Sequence, residues 1–260
     1  GYNFAHYGAT MNSDYAPSNG QSITRQVQRF TQFVEAGKLT VSPNDRFTIW
    51  GNANDFLAYG ESDANHAAGQ VKNRVRKLAT TGAQNILVLD QPLWGNTPIG
   101  YNRGDRNYLN ALMSEYNSDL EIDVRQLYNK ENIDVYLAPV SELYLDVYLH
   151  PASYGFTVVA PKSGTSGHCV GDNLKLGACP STYAFYDSIH PSAAMHELIA
   201  DYVSAQFLSI DASKAYSGVA VSAASPALSM QALAISGDLS LATPSGWTLG
   251  QSGSVQTFAF

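Results

Sequence analysis

The chain has 260 residues, 45% of them hydrophobic, so it is long enough to bury one large core and is not expected to be disordered. Its 22 acidic residues outnumber its 15 lysines and arginines, and the formal net charge is -7. Because so few cations cannot form the basic face that neutralises a phosphate backbone, nucleic acid is excluded as an expected partner.

Short apolar strands alternate with longer helical patterns over the first 208 residues. Apolar runs predict strands over 2–5, 47–50, 85–90 and 133–137. Helical spacing of apolar residues predicts helices over 23–36, 67–81, 105–129, 141–149 and 193–208. This alternation is typical of a parallel sheet covered on both faces, so we predict an α/β fold of the three-layer α/β/α sandwich type with a mostly parallel central sheet.

The composition changes after the last predicted helix. Residues 213–252 are mostly Ala, Ser, Gly and Leu with few charges and no firm period, which fits a linker, a tail or a small appended element. Residues 255–260 return to a strand pattern. We therefore predict a domain over 1–212 and a tail over 213–260 whose last residues can form a strand of the same sheet.

Two cysteines lie close together in an irregular, glycine-flanked segment. Cys169 and Cys179 predict a short disulfide that staples a loop, with two free thiols as the alternative. His168 beside Cys169 suggests a metal site as a further interpretation, but two cysteines and one histidine fall short of the four ligands of a tetrahedral site. We expect no metal and no cofactor. Scarce lysine and abundant Tyr, Asn, Ser and Gly favour a secreted, cell-surface or periplasmic protein.

No membrane anchor or leader is expected. No apolar run approaches the roughly 20 residues that span a bilayer, and no charged and apolar leader stands at Gly1. The sequence therefore predicts a soluble chain without a targeting segment.

A carboxylate stands three residues before a histidine in the loop that precedes the last predicted helix. Asp187 and His190, followed by Pro191, can both project from one short turn. A serine hydrolase needs this pair, because the imidazole takes a proton from the nucleophile and the carboxylate holds the imidazole's tautomer. By itself such a spacing is more often a turn with a surface histidine.

Three motifs in order carry a family resemblance over residues 1–208. They are Asn3-Phe4-Ala5-His6-Tyr7-Gly8-Ala9-Thr10, Gly51-Asn52-Ala53-Asn54-Asp55-Phe56 and Asp187-Ser188-Ile189-His190-Pro191. They resemble the second, third and fifth blocks of the SGNH/GDSL family of lipases and esterases. Tyr101-Asn102 and the long helix after it resemble the bacterial lysophospholipase and lecithinase branch.

The resemblance implies a role for four residues. The backbone N–H of Gly8 and the side-chain amide of Asn54 match the oxyanion donors, His190 matches the general base and Asp187 its orienting carboxylate. Similar enzymes form an acyl-serine that water hydrolyses. Read alone, Gly8 is equally a tight turn and Asn54 an ordinary helix cap.

The function implied by the resemblance is hydrolysis of carboxylic esters, with lipid or lysophospholipid acyl esters as the leading substrates. The partners would be a small-molecule or lipid ester and, for a lipid, a membrane surface contacted from outside. Deacetylation of a polysaccharide is the alternative within enzymes. A non-catalytic binding or surface module on the same scaffold is the alternative of another class.

Two departures from the family pattern stand out. Asn52 occupies a position where the family usually has glycine, and asparagine tolerates left-handed backbone geometry better than most residues. The Gly-Asp-Ser-Leu block with the nucleophile is not found, and Gly237-Asp238-Leu239-Ser240-Leu241, with an extra residue, is interpreted as a chance match. The nucleophile therefore stays unassigned.

Three explanations of the missing nucleophile remain open. Residues 257–260 look like the apolar strand that precedes this block in the family, so the tail can supply a central strand and the nucleophile can belong between Phe260 and Gly1. A truncated chain with an unrelated tail and an inactive relative are the alternatives.

Four aromatic residues form a separate candidate feature. They can be core or lid packing, or they can line a groove for an acyl chain. They are Tyr144, Tyr148, Tyr154 and Phe156.

Overall fold

The computed structural model describes residues 2–12, 22–174, 178–216 and 255–258. These residues form two compact units. Unit 1 contains the described residues of Gly1–Asp90, Glu115–Ala138 and Ser240–Phe260, and unit 2 those of Gln91–Ser114 and Pro139–Leu239. The predicted division into a domain over 1–212 and a tail stays a prediction.

Unit 1 contains a parallel sheet of five strands. Its order is β1-β5-β2-β3-β4, and every neighbouring pair is parallel. The strands are β1 Tyr2–Asn3, β2 Arg46–Ile49, β3 Ile86–Leu89, β4 Val135–Ala138 and β5 Val255–Phe258. The strands predicted over 47–50, 85–90 and 133–137 are confirmed. The first strand is shorter than predicted, because Phe4 and Ala5 already lie outside the ladder.

Strand β5 lies between β1 and β2. Thr257 is paired with Asn3 on one side and with Thr48 on the other. The central β2 and β3 supply the core of this sheet, since Phe47, Ile49 and all four residues of β3 are buried. Continuous apolar strands are expected where a parallel sheet is covered on both faces.

Three helices belong wholly to unit 1. They are α1 Ile23–Glu35, α2 Ala53–Leu57 and α3 Ala64–Ala79. The side chain of Ser22 caps α1 by accepting the Arg25 N–H, and Asp63 caps α3 by accepting the His66 N–H. The predicted helices over 23–36 and 67–81 are thereby confirmed within a few residues at each end.

The long helix predicted over 105–129 is confirmed. In the structure this helix is α5 Arg106–Glu131, and it follows the short helix α4 Pro98–Arg103. Its predicted apolar face is buried throughout, which is the result expected of a stripe at helical spacing. The face consists of Leu109, Leu112, Tyr116, Leu120, Val124 and Leu127.

Unit 2 contains α4, the start of α5, α6 Val140–Leu149 and α7 Ala193–Tyr216. The helix predicted over 141–149 is confirmed, and the one predicted over 193–208 continues to Tyr216. Helix α4 was not predicted, because its 6 residues are too few to show a helical spacing of apolar residues. In the turn before it, a Cβ on Gly95 would lie 2.2 Å from the carbonyl oxygen of Arg106. Across the described ranges, none of the helices has the length and apolarity needed to cross a bilayer.

Candidate active site

The first candidate oxyanion donor lies in the turn after β1. Gly8 is exposed and has φ +71°, a left-handed conformation that favours glycine. The Ala9 N–H closes this turn by donating to the carbonyl of His6 at 3.2 Å. Within the described part of the chain, no hydrogen-bond acceptor is found for the Gly8 N–H.

The second candidate donor is held against the same turn. Asn54 belongs to α2, and its Nδ2 donates to the carbonyl oxygen of Ala9 at 2.8 Å. An amide nitrogen carries two hydrogens, so this bond orients the group and leaves the second hydrogen for another acceptor. The structure therefore brings Gly8 and Asn54 together in unit 1, through the residue that follows Gly8.

A buried carboxylate reinforces this connection. Asp55 Oδ2 accepts the backbone N–H of Met11 at 2.9 Å, and Asp55 is 3% exposed. Burial raises the pKa of Asp55 to about 6, although the Met11 amide opposes the shift. The sequence analysis gave Asp55 no role, and its place directly after Asn54 in the motif was the available signal.

The departure at Asn52 is accommodated as expected. Asn52 has φ +78° and begins α2 in the left-handed conformation. Its side chain is buried, and Nδ2 donates to the carbonyl of Ala67 at 3.0 Å and to the Tyr116 hydroxyl at 3.1 Å. Asparagine thus keeps a backbone geometry that glycine would allow and adds contacts to α3 and α5.

The candidate acid and base meet in unit 2. His190 Nδ1 lies 2.8 Å from Asp187 Oδ2, and about a third of each side chain is exposed. A carboxylate can only accept here, so the proton resides on Nδ1 and Nε2 becomes the basic nitrogen. This is the tautomer that a general base needs.

The backbone of this loop is closed tightly around the pair. The Tyr186 N–H donates to the carbonyl of His190 at 2.9 Å, and the Ser192 N–H donates to that of Ala184 at 2.9 Å. Asp187 Oδ1 accepts the N–H groups of Ile189 and His190 at 2.9 and 2.7 Å. The acid and base therefore project from one narrow hairpin ahead of α7.

The electrostatics of the loop keep the acid ionised. Burial alone raises the pKa of Asp187, but the amides of His190 and Ile189 and the imidazole of His190 together hold it below its ordinary value. An ionised Asp187 can stabilise the imidazolium that forms when His190 takes a proton.

The two cysteines lie close together. Cys169 and Cys179 lie at disulfide-bonding distance, with their Cα atoms 5.5 Å apart. The Nδ1 atom of His168 accepts the N–H of Gly171 at 2.9 Å, so this nitrogen is already used by the protein. Of the described residues, no group of three or more His, Cys, Asp or Glu is arranged to hold a metal ion.

The aromatic candidates separate into different environments of unit 2. Tyr144 and Tyr148 line an apolar depression whose volume is about 10 Å³, the room of a single water molecule. Phe156 is buried, and the Tyr154 hydroxyl donates to Asp146.

A comparison with protein families identifies the chain's relatives. The model of the GDSL-like lipase/acylhydrolases matches residues 1–203. The chain belongs to this GDSL-like family. The recognition made from the three motifs is thereby confirmed, and so is the fold class, since GDSL-like members have the α/β/α fold with a parallel sheet.

Named relatives agree with the family at modest identity. A GDSL esterase/lipase of Arabidopsis thaliana is 31% identical over 145 residues, which are 51% of this chain and 40% of that protein. Esterase EstA of Pseudomonas aeruginosa is 29% identical over 63% of this chain and 26% of its own length. The phosphatidylcholine-sterol acyltransferase of Aeromonas hydrophila is 24% identical over 65% of this chain and 48% of its own length. The chain thus spans less than half the length of these GDSL-like relatives.

Proposed function

We propose that this chain carries the oxyanion donors and the acid–base pair of a serine carboxylic-ester hydrolase. The observation that carries the proposal is the 2.8 Å contact between His190 Nδ1 and Asp187 Oδ2 in a hairpin whose amides also hold the carboxylate. Such a pair prepares Nε2 to take a proton from a serine hydroxyl and later to return it to the leaving alcohol.

Each residue has one step in the proposed reaction. His190 deprotonates the serine, the serine oxygen attacks the ester carbonyl, and Asp187 stabilises the imidazolium. The Gly8 N–H and the second amide hydrogen of Asn54 donate to the tetrahedral oxyanion, each contributing about 3 kcal/mol. The alcohol leaves with the proton from His190, and water then hydrolyses the acyl-serine by the same steps.

Lipid or lysophospholipid acyl esters are the proposed substrates. The family is named for lipases, and the name of the Aeromonas hydrophila relative specifies phosphatidylcholine. Tyr7, directly before Gly8, is 88% exposed, and tyrosine is a side chain suited to the boundary between water and lipid. Peripheral contact with a membrane surface is part of this proposal.

We also propose that Cys169 and Cys179 form a disulfide and that the protein acts in an oxidising compartment, outside the cell or at its surface. The approach of the two cysteines supports this pairing. Mass spectrometry of the non-reduced, digested protein would show the two cysteine peptides as one species. Recovery of both as free thiols would contradict it.

The test of function is hydrolysis of p-nitrophenyl esters by the full protein. We expect turnover that His190→Ala abolishes, and a long acyl chain to be preferred over acetate. A fluorophosphonate probe should label one serine, and peptide mapping would identify that serine as the nucleophile. The stretch 237–241, which was interpreted as a chance match to the nucleophile block, lies outside the described residues. A folded protein that neither turns over esters nor reacts with the probe would overturn the proposal.

A further inference from the structure

The segment just before the acid and base is held by a loop that contains both cysteines. We call the described residues between Thr165 and Tyr183 the cysteine loop. Within unit 2, the Cys169 N–H donates to the carbonyl of Phe185 at 3.2 Å, and the Val170 N–H donates to that of Tyr186 at 2.9 Å. These carbonyls belong to the two residues immediately before Asp187.

A carboxylate ties the two ends of the cysteine loop together. Asp172 accepts the Ser166 N–H at 2.7 Å, the Tyr183 hydroxyl at 2.9 Å and the Thr165 hydroxyl. Burial alone would raise the pKa of Asp172, but these donors lower it to about 2. Asp172 therefore stays ionised at any ordinary pH and keeps its three donors engaged.

The cross-link lies at the residue that donates to the hairpin. Cys169 is fully buried, and a bond to Cys179 closes a loop with a sequence separation of 10. Such a link restricts the conformations open to the loop. Its effect reaches the hairpin directly, because the donating nitrogens belong to Cys169 itself and to the next residue.

We propose that the cysteine loop is the positioning element of the acid–base pair, and that the hydrolysis rate depends on the Cys169–Cys179 cross-link. The inference rests on the proposed function and on the proposed disulfide. Cys169 and Val170 fix the carbonyls before Asp187, and this fixes the approach of Asp187 to His190. Without the link the hairpin loosens, and the imidazole loses its orientation while the rest of the protein stays folded.

The test measures the orientation of the His190 imidazole separately from the rate of ester hydrolysis. Two-bond proton–nitrogen spectra of the full protein, labelled with ¹⁵N-histidine, report which ring nitrogen of His190 carries the proton. Dithiothreitol breaks the S–S bond, yields two thiols and is itself oxidised to a cyclic disulfide, and Cys179→Ser removes the link permanently. In both cases we expect the Nδ1–H tautomer of His190 to give way to a mixture.

The chain offers an internal control. His150 Nδ1 lies 2.7 Å from Asp146 Oδ1, a similar pair that the cysteine loop does not contact through any described hydrogen bond. Its ring signals should stay unchanged. Ester hydrolysis should lose roughly tenfold or more in kcat, with KM within about twofold, as expected when a catalytic group is misplaced rather than removed.

A matched pair of variants tests the backbone donor. Val170→Pro removes the N–H that holds Tyr186, and Val170→Ala keeps it while shortening a side chain that is 45% exposed. We expect only the proline variant to behave like the reduced protein. If a variant does not fold, reduction of the folded native protein decides the question.

Two outcomes would overturn the inference. One is a fully reduced, folded protein in which the His190 signals and kcat match those of the oxidised form. The other is an equal change at His190 and His150, which would show a general loosening. If the oxidised protein hydrolyses no ester, the proposed function fails, and the His190 tautomer alone still decides whether the loop positions it.

Discussion

The carboxylate of Asp55 accepts the backbone N–H of Met11 at 2.9 Å in the interior of unit 1. The neighbouring Asn54 amide donates to the carbonyl of Ala9. Two consecutive residues of α2 thus form hydrogen bonds with Ala9 and Met11, the residues on either side of Thr10. The relative position of the two proposed oxyanion donors, Gly8 and Asn54, depends on both bonds.

Ionisation of Asp55 should weaken the fold. Its pKa is raised from 3.8 to about 6, so between these values the folded state binds more protons than the unfolded state, and stability falls as pH rises. At pH 8 the penalty is on the order of 3 kcal/mol. Asp55→Asn, which keeps an acceptor for Met11, should therefore raise the free energy of unfolding at pH 8 and much less at pH 4. Urea unfolding at both values is the measurement, and an equal gain at both would refute the assignment.

Removal of the Asn54 amide should affect the transition state more than the fold. We expect Asn54→Ala to lower kcat by about 10² to 10³. The free energy of unfolding should fall by only about 1 kcal/mol, for the lost bond to Ala9. Steady-state kinetics and urea unfolding of one preparation measure both. Asn44→Ala, at an exposed turn, is the control, and a kcat within twofold of the native value in Asn54→Ala would remove this residue from the mechanism.

The carboxylate of Asp187 should matter through the tautomer of His190. Asp187→Asn replaces an acceptor with a group that can donate to Nδ1, which places the imidazole proton on Nε2. We expect kcat to fall on the order of 10⁴-fold with the protein still folded. Asp146→Asn changes the similar pair with His150 and should leave kcat unaltered. Equal losses in the two variants would argue against a specific role for Asp187.

The asparagine at position 52 should be replaceable by glycine at lower cost than by alanine. Both changes remove the bonds to Ala67 and Tyr116, worth about 1 to 3 kcal/mol. Alanine must also adopt φ +78°, which adds about 1 kcal/mol. Thermal or urea unfolding of Asn52→Gly and Asn52→Ala should show that difference, and identical stabilities would mean that the turn relaxes in the variants.

Periodicity explains which elements were predictable. The stripe on α5 and the apolar run of β3 extend over enough residues to define a period, and both were located from the sequence. Helices α2 and α4, with 5 and 6 residues, are too short for one. The close approach of Gly95 to the Arg106 carbonyl is a tertiary constraint that no local pattern reveals.

The residues of the candidate site also differ in how far the sequence could predict them. Asp187 and His190 are three residues apart, so the sequence could place them in one loop, and the two other motifs in order indicated a catalytic pair. Met11 and Asp55 are 44 residues apart, and Asn54 and Ala9 are 45 apart, so only the fold reveals those bonds. The role of Asp172 depends on a loop conformation that lacks any repeat. Family motifs indicated the proposed reacting groups, whereas the groups that hold them follow from tertiary structure.

The order of the sheet has a consequence for folding. Strands β2, β3 and β4 pair with one another in sequence order. Among the described strands, β1 is joined to them only through β5, since Thr257 lies between Asn3 and Thr48. Contacts between distant parts of a chain form slowly, because their loop-closure entropy must be overcome first. The start of the chain should therefore acquire its place beside the sheet in a late, slow phase, and the turn of Gly8 should mature with it. Refolding followed by hydrogen exchange would show protection at residues 86–89 of β3, which lies between β2 and β4, before protection at residue 3.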